Sequence, residues 1–111
     1  MFSKLILAGL LAATVSVSAA RARDSWEFDV VNNSSLVADG FRTREDGKWS
    51  SNWLHKKIKP GETWTLDFGH SSGDCTVRTQ VHFTDNTFFD YDVNYCDASN
   101  LYIYEHAIKY D

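Results

Sequence analysis

Between Cys75 and Cys96 the chain alternates apolar and polar residues almost without a break, and a period of two commits that stretch to extended strands. Cys75, Val77, Thr79, Val81 and Phe83 share one face, while Thr76, Arg78, Gln80 and His82 share the other. After a turn at Asp85-Asn86-Thr87, Phe89, Tyr91, Val93 and Tyr95 alternate with Asp90, Asp92 and Asn94. Setting Phe83 opposite Phe89 keeps both apolar sets on one side. That register places His82 across from Asp90 and Arg78 near Asp92 and Asn94. It also puts Cys96 on the wrong parity for Cys75. A bond between them needs either a bulge near Tyr95 or a strand that breaks by Asp97.

The rest of the chain reads as short strands as well. Trp26, Phe28 and Val30 alternate with charged residues, and Asn32-Asn33-Ser34-Ser35 closes that strand, since Asn and Ser side chains satisfy nearby backbone groups. A second strand is expected from about Leu36 to Arg44, ended by Glu45-Asp46-Gly47-Lys48. Trp49 to His55 has no period and reads as a packed loop or a single helical turn. Lys59-Pro60-Gly61-Glu62 has the signature of a type II turn, and Trp64, Leu66 and Phe68 alternate behind it. Gly69 to Asp74 is a polar loop, and a last strand starts at Leu101 and Ile103, with Ile108 and Tyr110 either continuing it or fraying. No segment has the length and 3.6 period of a helix. The expected fold is all-β, a small antiparallel β-sandwich of 6–7 strands with one disulfide.

The N-terminus says where such a domain would work. One charge at Lys4, an apolar run from Leu5 to Val17 and the small residues Ser18-Ala19-Ala20 and Ala22 read as a signal peptide over residues 1–22. Cleavage is expected after Ala20 or Ala22. The run is short for a membrane span, and no second one follows. Residues 23–111 are then a single exported domain, periplasmic or secreted, where the default state of Cys75 and Cys96 is a disulfide. Closing a loop of about 20 residues stabilises a domain this small by roughly 3 kcal/mol. The whole chain has 15 acidic and 11 basic residues, and without Lys4 and Arg21 the net charge is −6. That balance argues against nucleic acid or anionic lipid as a partner. The short basic cluster Lys56-Lys57 and Lys59 reads as a solvated loop.

Chemistry is sparse. There is no nucleophile elbow, no phosphate-binding glycine loop, and no cysteine spacing suited to redox work or zinc. Asp90 and Asp92 share a strand face roughly 7 Å apart, a spacing inverting glycosidases use. Cross-strand pairing with His82 and Arg78 is the simpler reading of those carboxylates. Asp67, His70 and Asp74 around one loop, and Asp85, Asn86 and Asp90 beside His82, are the candidate calcium or zinc ligands. Trp49, Asn52, Trp53 and His55 are the candidate ligand-binding residues. Aromatic planes beside amide and hydroxyl partners suit a sugar or a peptide.

Taken in order, NNSS, GKWSSNWL, IKPGETWTLDF, GDCTVRTQVHFTDNTFFDYDVNYC and LYIYE resemble a group of small exported bacterial proteins of unknown function. The resemblance spans nearly all of residues 23–111 and implies a C2-like, disulfide-containing β-sandwich. It implies the Cys75–Cys96 bond and a fixed turn at Pro60-Gly61, and it carries over no catalytic residue. The repeated aspartates of calcium-binding C2 loops are not reproduced here. The expected function is therefore an exported, non-enzymatic binding or interaction protein for a carbohydrate, a peptide or an envelope partner. A weak calcium- or zinc-binding envelope protein is the first alternative, and a small hydrolase working through Asp90 and Asp92 is the second. The expected state is a monomer or a weak homodimer paired through residues 101–110.

Overall fold

A computed structural model describes residues 25–70 and 73–111, and the expected signal peptide, residues 1–22, lies outside them. The described residues form an all-β domain of eight strands in two four-stranded sheets, mostly antiparallel. One sheet holds β1 (Glu27–Asn32), β4 (Thr63–Asp67), β7 (Asn100–Ile103) and β8 (Ile108–Tyr110), in the order β4-β1-β7-β8. The other holds β2 (Ala38–Glu45), β3 (Lys48–Trp49), β5 (Thr76–Phe83) and β6 (Phe88–Asn94), in the order β3-β2-β5-β6. This is the expected disulfide-containing sandwich, with one strand more than the upper expected number. Beyond the six strands read individually from the alternation, the additions are the two-residue β3 and the return strand β8. The latter exists because the chain turns back at Tyr104, whose N–H donates to the Ala107 carbonyl at 2.9 Å.

The alternating residues build the core between the sheets. Phe28, Val30, Leu66, Leu101, Ile103 and Ile108 come from one sheet, and Phe41, Val77, Val81, Phe83 and Val93 from the other, all buried. At one end the rings of Phe28, Phe68 and Tyr95 meet with centroids 4.9–5.2 Å apart, in edge-on or tilted arrangements that favour aromatic pairs.

Side-chain amides hold the turns. Asn32 is completely buried, and its Nδ2 donates to the Leu36 and Ile58 carbonyls at 2.8 Å each. Its Oδ1 accepts from Ser34 N–H at 3.0 Å and from Ser34 Oγ at 2.6 Å, so every hydrogen-bonding position of that amide is filled. The Asn32 carbonyl accepts from Gly61 N–H at 2.7 Å, which ties the Asn-Asn-Ser-Ser turn to the Pro60-Gly61 turn. The latter is of type II as expected: Gly61 has φ 85° and Glu62 N–H closes on the Lys59 carbonyl at 3.0 Å.

Two expectations about pairing are corrected, and one open alternative is decided. The β5–β6 register is two residues from the expected one: Val81, not Phe83, lies opposite Phe89. Asn86 takes φ 70° and its N–H bonds the Phe83 carbonyl, so Thr84-Asp85-Asn86 is a three-residue loop and Phe83 pairs with Thr87. A slip of two leaves both faces unchanged, which is why the alternation alone did not exclude it. His82 accordingly faces Phe88 rather than Asp90. Its Nδ1 sits 2.5 Å from Oδ1 of Asp39, within the irregularity between Ala38 and Gly40 in β2. Gly40 is needed there, because a Cβ would stand 2.9 Å from the His82 Cβ.

The second correction concerns direction: β1 and β7 run parallel, with Val30 beside Leu101. Of the two routes open to Cys96, the strand break is the one taken. No bulge intervenes; β6 ends at Asn94, Tyr95 N–H still reaches the Cys75 carbonyl at 2.8 Å, and Cys96 turns out of the strand. The disulfide to Cys75 spans a Cα–Cα distance of 5.2 Å.

Candidate functional site

The segment after β3 carries the most distinctive surface. Ser50 N–H donates to the Thr43 carbonyl and Trp53 N–H to the Phe41 carbonyl, both at 2.8 Å, so residues 50–53 stay against the edge of β2 without forming a regular strand. Asn52 is the reason they hold that shape. Its Oδ1 accepts from Phe41 N–H at 2.9 Å and Leu54 N–H at 3.0 Å, and its Nδ2 donates to the Asp39 carbonyl at 2.9 Å. The chain then crosses to the other sheet, touching Ala38 at Ile58, and enters β4 through the type II turn.

A cleft of about 430 Å³ opens where that segment passes β4. Asn52, Trp53 and His55 line it from one side, and Trp64, Thr65, Leu66 and Asp67 from β4. Trp53 is half-buried, its ring centroid is 4.7 Å from that of Phe68, and its Nε1–H donates to Thr43 Oγ1 at 3.1 Å. Trp64 is half-buried too, with the Lys56 ammonium 5.7 Å from its ring centroid. At the rim, the Ser25 hydroxyl first and the Gly69 N–H second hold the Asp67 carboxyl below the usual aspartate range.

Three of the four expected ligand-binding residues therefore line one cleft. Trp49 does not: it is 37% exposed on β3, opposite Arg44, whose guanidinium carbon lies 6.0 Å from the ring centroid. The alternation of Trp64, Leu66 and Phe68 marks Trp64 as a strand residue and gives no sign of a binding role. Trp64 faces inward, but β4 is the sheet edge, so the indole stays partly exposed and lines the cleft.

The metal candidates are scattered. Asp67 lines this cleft, whereas His70 and Asp74 line a second one of about 390 Å³ with Arg44, Glu45, Asp46 and Thr76. The ring of His70 lies 6.0 Å from that of Trp26, and its Nδ1 is buried without a hydrogen-bond partner. Asp85 is occupied by its own turn, accepting from Thr87 N–H at 3.0 Å and Thr87 Oγ1 at 2.5 Å, and Asn86 supplies the left-handed residue beside it. Among the described residues no three His, Cys, Asp or Glu side chains converge on a point where a metal ion could sit. Asp90 accepts from Gln80 Nε2 at 3.1 Å, and Asp92 pairs with Arg78 at 3.1 Å on an exposed face. Neither carboxylate stands in a cleft that would desolvate it for acid–base work.

No protein-family model, no curated protein and no solved structure matches the chain. Among the described residues no helix is long and apolar enough to cross a membrane.

Proposed function

We propose that this chain is an exported, non-enzymatic binding protein that takes an extended carbohydrate or peptide segment into the cleft between residues 51–55 and β4. The observation that carries this reading is the pair of half-buried indoles, Trp53 and Trp64, brought from two separate elements to one cleft. Aromatic faces there supply contact area at low entropy cost, and the surrounding hydroxyl, imidazole and carboxylate groups fix orientation. Asn52 holds its wall through three main-chain bonds, so the ligand would meet a preformed surface. The N-terminal sequence pattern, the disulfide and the resemblance to small exported β-sandwich proteins support an extracytoplasmic place of work.

The test is tryptophan fluorescence of the disulfide-bonded protein, titrated with linear oligosaccharides and end-capped peptides. A saturable change that survives Trp49→Ala and is lost in Trp64→Ala, with near-ultraviolet dichroism unchanged, supports the cleft. A response that disappears with Trp49→Ala and persists in Trp64→Ala would move the site to the outer face of β3.

A further inference from the structure

We infer that the occupant of this cleft is an extended peptide, added to β4 as a new edge strand of the sheet. The inference rests on the cleft being the binding site and goes further, because it names the chemistry that recognises the ligand.

The main chain of β4 carries the argument. Asn32 N–H bonds the Glu62 carbonyl and Phe68 N–H bonds the Trp26 carbonyl, and the register between them is unbroken. In an antiparallel ladder alternate residues turn their main-chain groups toward the partner. Trp64 and Leu66 thus point theirs at β1, while Thr63, Thr65 and Asp67 point theirs off the edge, toward the side where the cleft opens. Those outward groups recur at roughly 7 Å, the repeat of an extended chain. A sugar can stack on the indoles, but a main-chain row of this period is matched by another peptide backbone.

The other three edges are guarded in ways β4 is not. β3 has only two residues and β8 three. β6 is long, yet Asp90 and Asp92 alternate along it, and twofold pairing of two copies about Asp90 would oppose like charges. β4 reads Thr-Trp-Thr-Leu-Asp, with no proline, no lysine, no bulge, and no charge before its last residue.

Side-chain placement defines the peptide. Trp64 and Leu66 lie on the inner face of β4 with Trp53 nearby, so the added strand must present apolar side chains to that face. The outer face carries Thr63, Thr65 and Asp67, with Glu27 opposite Asp67 and Asp29 opposite Thr65. Asp29 and Asp67 on that face call for lysine or arginine at the alternate positions. The partner is thus an extended segment alternating apolar with basic or threonine residues.

The experiment uses an end-capped seven-residue peptide alternating valine with lysine and threonine, in three forms: unmodified, N-methylated on the valines, and N-methylated on the intervening residues. Strand addition predicts that one methylated isomer binds like the parent, while the other loses affinity at least tenfold. Amide exchange at Thr65 and Asp67 should slow at least tenfold when the parent peptide binds. Thr65→Pro, which removes an outward donor and leaves both indoles, should abolish binding. Equal affinity of the two isomers would overturn the inference even if the proline variant fails to fold. Binding of linear oligosaccharides but not the peptide, still dependent on Trp64, would overturn strand addition and leave the cleft standing. Trp64-independent binding of both would remove the cleft as well.

Discussion

The indole of Trp53 donates its Nε1–H to Thr43 Oγ1 at 3.1 Å, which fixes a wall of the cleft to the inner face of β2. Thr43 is 4% exposed, so its hydroxyl is withdrawn from water and committed to this partner. Thr43→Val keeps the shape and removes the acceptor. The expected cost is about 1 kcal/mol, that of leaving a half-buried donor unpaired. A urea midpoint will read it, with a red shift of tryptophan emission as the ring loosens. Trp49→Ala, made on an exposed face, should cost about 0.5 kcal/mol or less.

A second buried pair gives an asymmetric prediction. The Tyr95 hydroxyl lies 2.7 Å from Thr79 Oγ1, which itself donates to the Val77 carbonyl at 3.2 Å, so the phenol is the donor between them. Tyr95→Phe leaves only an unfilled lone pair, at about 1 kcal/mol. Thr79→Val strands a buried hydroxyl and should cost more, about 1–3 kcal/mol. Burial raises the Tyr95 phenol well above its ordinary value of 10.0. The folded state therefore keeps the proton that the unfolded chain loses. The contribution is complete below about pH 10 and disappears as pH rises further. Absorbance at 295 nm should show Tyr95 ionising only with cooperative alkaline unfolding, and Tyr95→Phe should move that midpoint to higher pH.

The disulfide makes a third test. Cys75 and Cys96 are 21 positions apart, and reduction should cost about 3 kcal/mol, lowering Tm by roughly 15 °C. Neither cysteine lines the cleft. Below the lowered Tm, ligand affinity of the reduced protein should be unchanged.

At the acid end the hairpin turn is the sensitive point. The Thr87 hydroxyl first and the Thr87 N–H second hold the Asp85 carboxyl below its ordinary 3.8. Ser35 does the same for Glu105 across the sandwich end, through its N–H and then its hydroxyl. Such groups stabilise the fold above the unfolded value and cease to do so as pH falls through the lower folded value. Urea midpoints should be level from pH 7 to about 5 and fall below about pH 4. Asp85→Asn should flatten that fall, because its side chain keeps an acceptor but no longer titrates.

Much of this was legible in the residues, and the exceptions share a cause. Period-two alternation named the inward faces of β1, β4, β5 and β6, since each face must be buried or solvated as a whole. Pro60-Gly61 and Asn32 declared their turns through backbone chemistry that few other residues provide. The β5–β6 register escaped because a slip of two preserves both faces, and only Asn86 in a left-handed conformation decides it. The parallel pairing of β1 with β7 escaped because alternation is silent about which strand lies alongside. The cleft was half legible: Asn52, Trp53 and His55 stood out in an irregular segment, but Trp64 looked like core. Its exposure follows from β4 being an edge, a property of strand order rather than of sequence.

The most direct test is a nitrogen-15 NMR map of the uniformly labelled, disulfide-bonded protein as the valine-lysine peptide is added. The four tryptophan indole resonances and the β4 amides report the site together. The account predicts that Trp53, Trp64, Thr65 and Asp67 shift in concert, while the Trp49 indole and the β6 amides stay still. Shifts centred on Trp49 and Arg44, or a map with no response along β4, would contradict it.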